Sequence, residues 1–162
     1  MKSPENDMLN ALNEIVKWSR EREIPPGEWT VPLQDVINGE EAPVKIKWFP
    51  FPIAIYGRGG VIEYANDKML EGTGLTADDI KTGKVHFQNI YNFDFDEAIR
   101  LALRGETHVV SGLENPLEYI SLDVPDNAPE YKSAIFYSMF SDEAPTRGVV
   151  VYLPFDYRPD NA

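Results

Sequence analysis

The sequence predicts an α+β fold: a single five-stranded antiparallel sheet with helices on one face, plus an N-terminal helix. Three observations carry that expectation. A glycine turn joins two short apolar stretches, three capped helical stretches follow, and strand-like stretches close the chain. Strands on both sides of a helical middle fit one sheet whose apolar face the helices shield. The 162 residues, 43% of them hydrophobic, suit one domain with a real core.

The elements are justified in chain order. Ser3 or Asn6 caps a first helix, and Pro4 suits its first turn. Met8, Ala11, Leu12 and Ile15 recur at helical spacing, with Leu9 and Val16 widening the stripe, and Pro25-Pro26-Gly27 ends it. That stripe packs either on its own domain or on a second subunit, and periodicity does not choose between them. Val44, Ile46 and Trp48 alternate with Lys45 and Lys47 as in a half-buried strand. Ile53–Tyr56 and Val61–Tyr64 flank Gly57-Arg58-Gly59-Gly60 and read as a hairpin.

Asn66 is placed to cap a short helix over Asp67–Glu71, with Gly72 and Gly74 at its close. Thr76 to Asp79 forms a capping box that opens a second helix ending near Gly83. A third opens at Asp94, buries Phe95, Ala98, Ile99, Ala102 and Leu103, and ends at Gly105. Thr107–Leu113 and Leu117–Val124, interrupted at Asn115-Pro116, read as strand. Tyr131–Ser141 and Val149–Phe155 complete the sheet.

This order, with these residues, resembles the PAS domain family from about Phe51 to Tyr157. The resemblance is carried by Gly60-Val61-Ile62-Glu63-Tyr64-Ala65-Asn66 and by Gly74 through Gly83, with Gly60, Tyr64, Asn66, Gly74 and Gly83 as its structural marks. It implies that Ile53–Tyr56 lies beside Val149–Phe155 in one sheet. It also implies an organisation of N-terminal helix and irregular flanking segment over 1–50, sensor domain over 51–157, and tail over 158–162. The long proline-rich connection Asn115–Pro129 departs from the short turn of many members, and the first 50 residues lie outside the match.

The family resemblance implies a signal-sensing or protein-interaction module that binds a small ligand in its core, dimerises, or does both. The ligand lining it suggests is Leu70, Ile80, Phe87, Phe95, Ile99, Leu103, Ile135, Tyr137 and Val151, each with plain core packing as its alternative. Met8, Leu12, Ile15 and Val16 are the matching dimer-helix candidates. The partner expected is a second copy or a signalling protein, reached through an exposed sheet face and the first helix.

Composition removes several classes of chemistry. A net charge of -12 repels phosphate backbones and anionic lipid, so neither nucleic acid nor a membrane is expected as partner. With no cysteine, covalent flavin chemistry and a thioester-linked chromophore are excluded. Any cofactor is therefore none or an unknown small molecule. Haem is not expected, because the two histidines, His86 and His108, lie outside the main helix. No carboxylate cluster has the spacing of a calcium loop, so no metal is assigned. No nucleophile–base constellation is visible, so the chain is read as non-enzymatic. Without a signal-peptide core the expected location is cytoplasmic. Two alternatives stay open: a structural interaction domain with a filled core, and a cone-shaped α+β isomerase or dehydratase. The early hairpin argues against the second.

Overall fold

Strand Ile53–Tyr56 (β1) stands between the strand that follows it and the last strand of the chain, so the sheet is closed by contacts distant in sequence. The full order is β2-β1-β5-β4-β3, with β2 spanning Ile62–Ala65, β3 His108–Val110, β4 Ser133–Ser141 and β5 Ala144–Leu153. Every named pairing is antiparallel. This computed structural model describes residues 51–121, 124–141 and 143–157, together with Lys17 and Glu21. The expected single five-stranded antiparallel sheet is present, and its decisive pairing is the expected one: Ile53 faces Val151 and Tyr56 faces Gly148.

Local chemistry explains the helical middle. The turn after β1 is a single 3₁₀ turn, Arg58–Gly60, in which Gly59 and Gly60 take φ of 74° and 73°. A Cβ on Gly60 would also meet Phe87 at 3.3 Å, so glycine serves both the turn and a close approach. Helix α1, Asp67–Thr73, begins at the Asn66 cap and ends with Gly74 left-handed. It runs two residues beyond the expected end, to Thr73, whose Oγ1 donates back to the Met69 carbonyl at 2.7 Å. Helix α2, Ala77–Lys81, carries the complete capping box between Thr76 and Asp79. Helix α3, Phe93–Leu103, starts one residue before the expected Asp94. Its cap is Asn92, whose Oδ1 accepts from the Phe95 amide at 3.0 Å, while Asp94 turns to His108 at 3.1 Å.

Two expectations for the late strands are corrected. Leu117–Val124 is not strand where it is described: Pro116–Tyr119 is a 3₁₀ turn, entered through Asn115 with φ of 49°. Proline supplies no amide to a ladder, and the apolar residues after it are buried against the helices instead. The Asp142–Gly148 turn is far shorter than expected. The β4–β5 ladder continues to Ser141 opposite Ala144, and Glu143 takes φ of 68°. The helix expected over the first 20-odd residues, the Val44–Trp48 strand and the 158–162 tail lie outside the described residues, apart from helical Lys17 and Glu21. Among the described residues no helix is long and apolar enough to cross a membrane.

The helices pack on one face of the sheet. Ala54, Tyr56, Ala134, Phe136, Val150 and Tyr152 point from the strands into a core shared with Met69, Phe95, Ala98 and Ala102. Gly148 makes room in this layer, since a Cβ there would collide with the Tyr56 ring.

Candidate functional site

Phe95, in the first turn of α3, stands at the centre of the space where a ligand was expected. Its ring lies 4.8 Å from Tyr119, 4.9 Å from Phe136, 5.8 Å from Phe87 and 6.2 Å from Tyr152. Tyr56 adds edge contacts to Phe87 at 5.1 Å and to Phe136 at 6.5 Å. Such tilted and edge-on pairs are favourable beyond their burial. Rings from β1, β4, β5, α3, the α2–α3 connection and the β3–β4 connection thus pack together between sheet and helices.

The polar groups of this layer are paired with backbone. The Tyr56 hydroxyl donates to the Ile99 carbonyl at 2.9 Å, and the Tyr152 hydroxyl to the Pro116 carbonyl at 3.1 Å. Ser138 Oγ donates to the Ala102 carbonyl. Burial pushes the hydroxyls of Tyr56 and Tyr152 well above the usual tyrosine range, so both stay protonated. Tyr56 ties α3 to the sheet and Tyr152 ties the Pro116–Tyr119 turn to it, and neither offers an acid or base near neutral pH. At the other end, Asn66 Oδ1 accepts from the amides of Ile53 and Met69, each at 3.0 Å, and Nδ2 donates to the Phe51 carbonyl at 2.8 Å. One side chain therefore caps α1 and anchors the start of β1.

The nine residues expected to line a ligand do not meet in one place. Ile80, Phe87, Phe95 and Ile99 lie in the helix-side core, and Leu70 and Leu103 pack against it. Ile135, Tyr137 and Val151 lie on the opposite face of the sheet. Strand side chains alternate, and Ala134, Phe136, Val150 and Tyr152 hold the inner positions. Of the structural marks, Gly60, Asn66, Gly74 and Gly83 stand at turns or caps, and Tyr64 is half-buried opposite Ile55.

The outer face was expected to be exposed, and it is not. Ile53, Ile55, Ile135, Tyr137, Val149, Val151 and Leu153 are between 0 and 5% exposed. Among the described residues the buried Tyr137 hydroxyl has no hydrogen-bond partner, and burial raises its pKa.

Two grooves open at the end of the sheet, on either side of Tyr131. One, of about 420 Å³, lies between α1 and the 127–131 connection, and is lined by Phe51, Lys68, Glu71, Ala128, Pro129 and Tyr131. The other, of about 560 Å³, is polar, with Glu114, Glu130, Lys132 and Asp156 around Leu113 and Tyr131. Burial and the nearby Glu71 push the Tyr131 hydroxyl up to about 12. Sequence reasoning missed this region, although the unusual Asn115–Pro129 connection was its signal. Among the described residues no group of three or more His, Asp or Glu side chains is placed to hold a metal.

No family model matches the chain, and no curated protein matches it. Solved structures do. The PAS domain of BvgS from Bordetella pertussis is similar at 15% identity, with 72% of this chain and 83% of that chain covered and a TM-score of 0.44. A PAS domain of an HTR-like protein from Haloarcula marismortui shares 12% identity over 66% of this chain and 88% of its own, with a TM-score of 0.44. A PAS domain from a two-component sensor histidine kinase shares 17% identity over 68% and 89%, with a TM-score of 0.42.

Proposed function

We propose that this PAS-like chain is a non-catalytic signalling module that works by protein contact, with a second copy or another signalling protein as partner. The observation that carries this reading is the ring cluster around Phe95, which occupies the layer where an internal ligand would sit. A ligand there has to displace close-packed aromatic side chains, each burying a large area. The buried hydroxyls of the same layer are spent on backbone carbonyls and leave no convergent polar group to recognise a small molecule. A signal passing through such a unit is a shift between arrangements of packed elements, driven by a partner that prefers one of them.

The test is native mass spectrometry together with light scattering on the purified full chain. The expected result is protein free of any stoichiometric small molecule, forming a dimer or binding a partner. A strict monomer carrying one tightly held organic ligand would overturn the reading. One specific observation favours a second reading: the groove of about 420 Å³ beside Tyr131 falls in the size range of small-molecule sites and sets Lys68 at an apolar wall. In that reading the sensed ligand is a small anion with an apolar body. Its binding weakens on Lys68→Ala, as read by titration calorimetry.

A further inference from the structure

We infer that Tyr91 and Phe93, on the connection into α3, form a docking site for an arginine-bearing segment of a partner protein. The inference deepens the protein-contact reading and rests on it. Among the described residues Tyr91 and Phe93 are the large apolar side chains left in water, 88% and 75% exposed. A lone exposed ring asks for no explanation. Two on one short connection, where the flanking Phe87 and Phe95 are buried, mark a surface kept for contact.

The connection holds both rings in place. The Gln88 amide donates to the Tyr119 carbonyl at 2.8 Å, and Ile90 packs against the core. Asn92 then caps α3 by accepting from the Phe95 amide at 3.0 Å. Tyr91 therefore sits between two anchored residues, and Phe93 is the first residue of the helix. Backbone fixed in advance lowers the ordering cost of binding. Tyr and Phe are also residue types enriched in interface cores.

Charge selects the occupant. On α3, helical spacing sets Asp96 and Glu97 beside Phe93. On the other side stands Tyr119. Burial raises its hydroxyl, the Asn92 amide lowers it, and Glu118, Glu114 and Tyr91 raise it further through their charge, so all three lie near it. Arg100 pairs with Asp96 at 2.9 Å and His108 with Asp94 at 3.1 Å. Among the described residues Glu97, Glu114 and Glu118 have no ion-pair partner. Aromatic faces beside such a carboxylate rim fit a guanidinium, which stacks on rings and donates to carboxylates in a fixed fork. A second copy would bring the same rim, and a net charge of -12, against these carboxylates, so it is not the occupant.

The test titrates the ¹⁵N-labelled full chain with two blocked peptides, one of alternating glycine and arginine and one with lysine in place of arginine. The arginine peptide is expected to move the amide peaks of Tyr91, Phe93, Glu97 and Glu118, while those of the exposed carboxylates Asp78 and Asp79 stay still. It is also expected to bind more tightly than the lysine peptide. Tyr91→Ser with Phe93→Ser leaves the net charge unchanged and is expected to weaken that binding about tenfold. Glu114→Gln with Glu118→Gln keeps both rings and is expected to weaken it and flatten its salt dependence. Shifts spread over every acidic surface, equal affinity for the two peptides, or a serine variant that binds like wild type would each show attraction by bulk charge alone and overturn the inference. Light scattering on the same samples separates this failure from that of the wider reading. A dimer that persists while the peptide results are negative removes this docking site and leaves protein contact standing through another surface.

Discussion

Asn66 shows how much one side chain decides when its reach is local and its partners are not. As a cap it was legible, since an Asn directly after a strand and before a helical stretch has one obvious use. Its bonds to Ile53 and Phe51, more than ten residues away, were not legible. Asn66→Ala removes a cap worth about 1 kcal/mol and leaves a buried amide without its acceptor, at about 1–3 kcal/mol more. A total loss near 3 kcal/mol is expected in urea unfolding; a loss below about 1 kcal/mol would mean that the anchor at β1 contributes nothing. Tyr137 is the opposite case. Its hydroxyl costs desolvation and recovers no bond among the described residues. Tyr137→Phe is expected to leave stability unchanged or raise it by about 1–2 kcal/mol, and a clear destabilisation would reveal a hidden acceptor. Its position on the outer face was not readable, because β4 is apolar at both parities and gives no alternation to follow.

Helix α3 is held to the sheet from two strands at once. Tyr56 of β1 reaches the carbonyl of Ile99, and Ser138 of β4 reaches that of Ala102, one turn further along. Tyr56→Phe and Ser138→Ala are each expected to cost about 1 kcal/mol. Because both act on one helical turn, the double variant should depart from additivity by more than about 0.5 kcal/mol. Additive losses would show that the two bonds do not act as one clamp. The same layer explains Gly148, a glycine inside the central strand. Gly148→Ala drives a methyl group into the Tyr56 ring and is expected to cost about 1–3 kcal/mol, read as a lower melting temperature.

Buried tyrosines set the alkaline limit of the whole molecule. Tyr56, Tyr131, Tyr137 and Tyr152 all have their hydroxyls raised above the ordinary value of 10.0, chiefly by burial, with Tyr131 at about 12. Above pH 10 the unfolded chain loses these protons while the folded one keeps them, so the unfolded state binds fewer protons and stability falls as pH rises. The contribution is complete below pH 10 and is lost as pH climbs through the folded values. Tyrosinate absorbance and far-ultraviolet dichroism are therefore expected to change together in one transition above pH 10. A smooth titration of all 8 tyrosines at 10 with the fold intact would contradict the burial described here.

The sequence by itself determined the features whose physics is short-range. These are the Asn66 cap, the Thr76–Asp79 box, the glycine turn and the order of strands around a helical middle. Each depends on backbone groups within a few residues, where spacing is informative. Tertiary structure alone decided which strand faces pointed to the helices, and which rings meet Phe95. It also decided that Pro116–Tyr119 turns instead of pairing. Those outcomes depend on volume and register across residues far apart in the chain, and apolar side chains look alike in sequence whichever neighbours they meet.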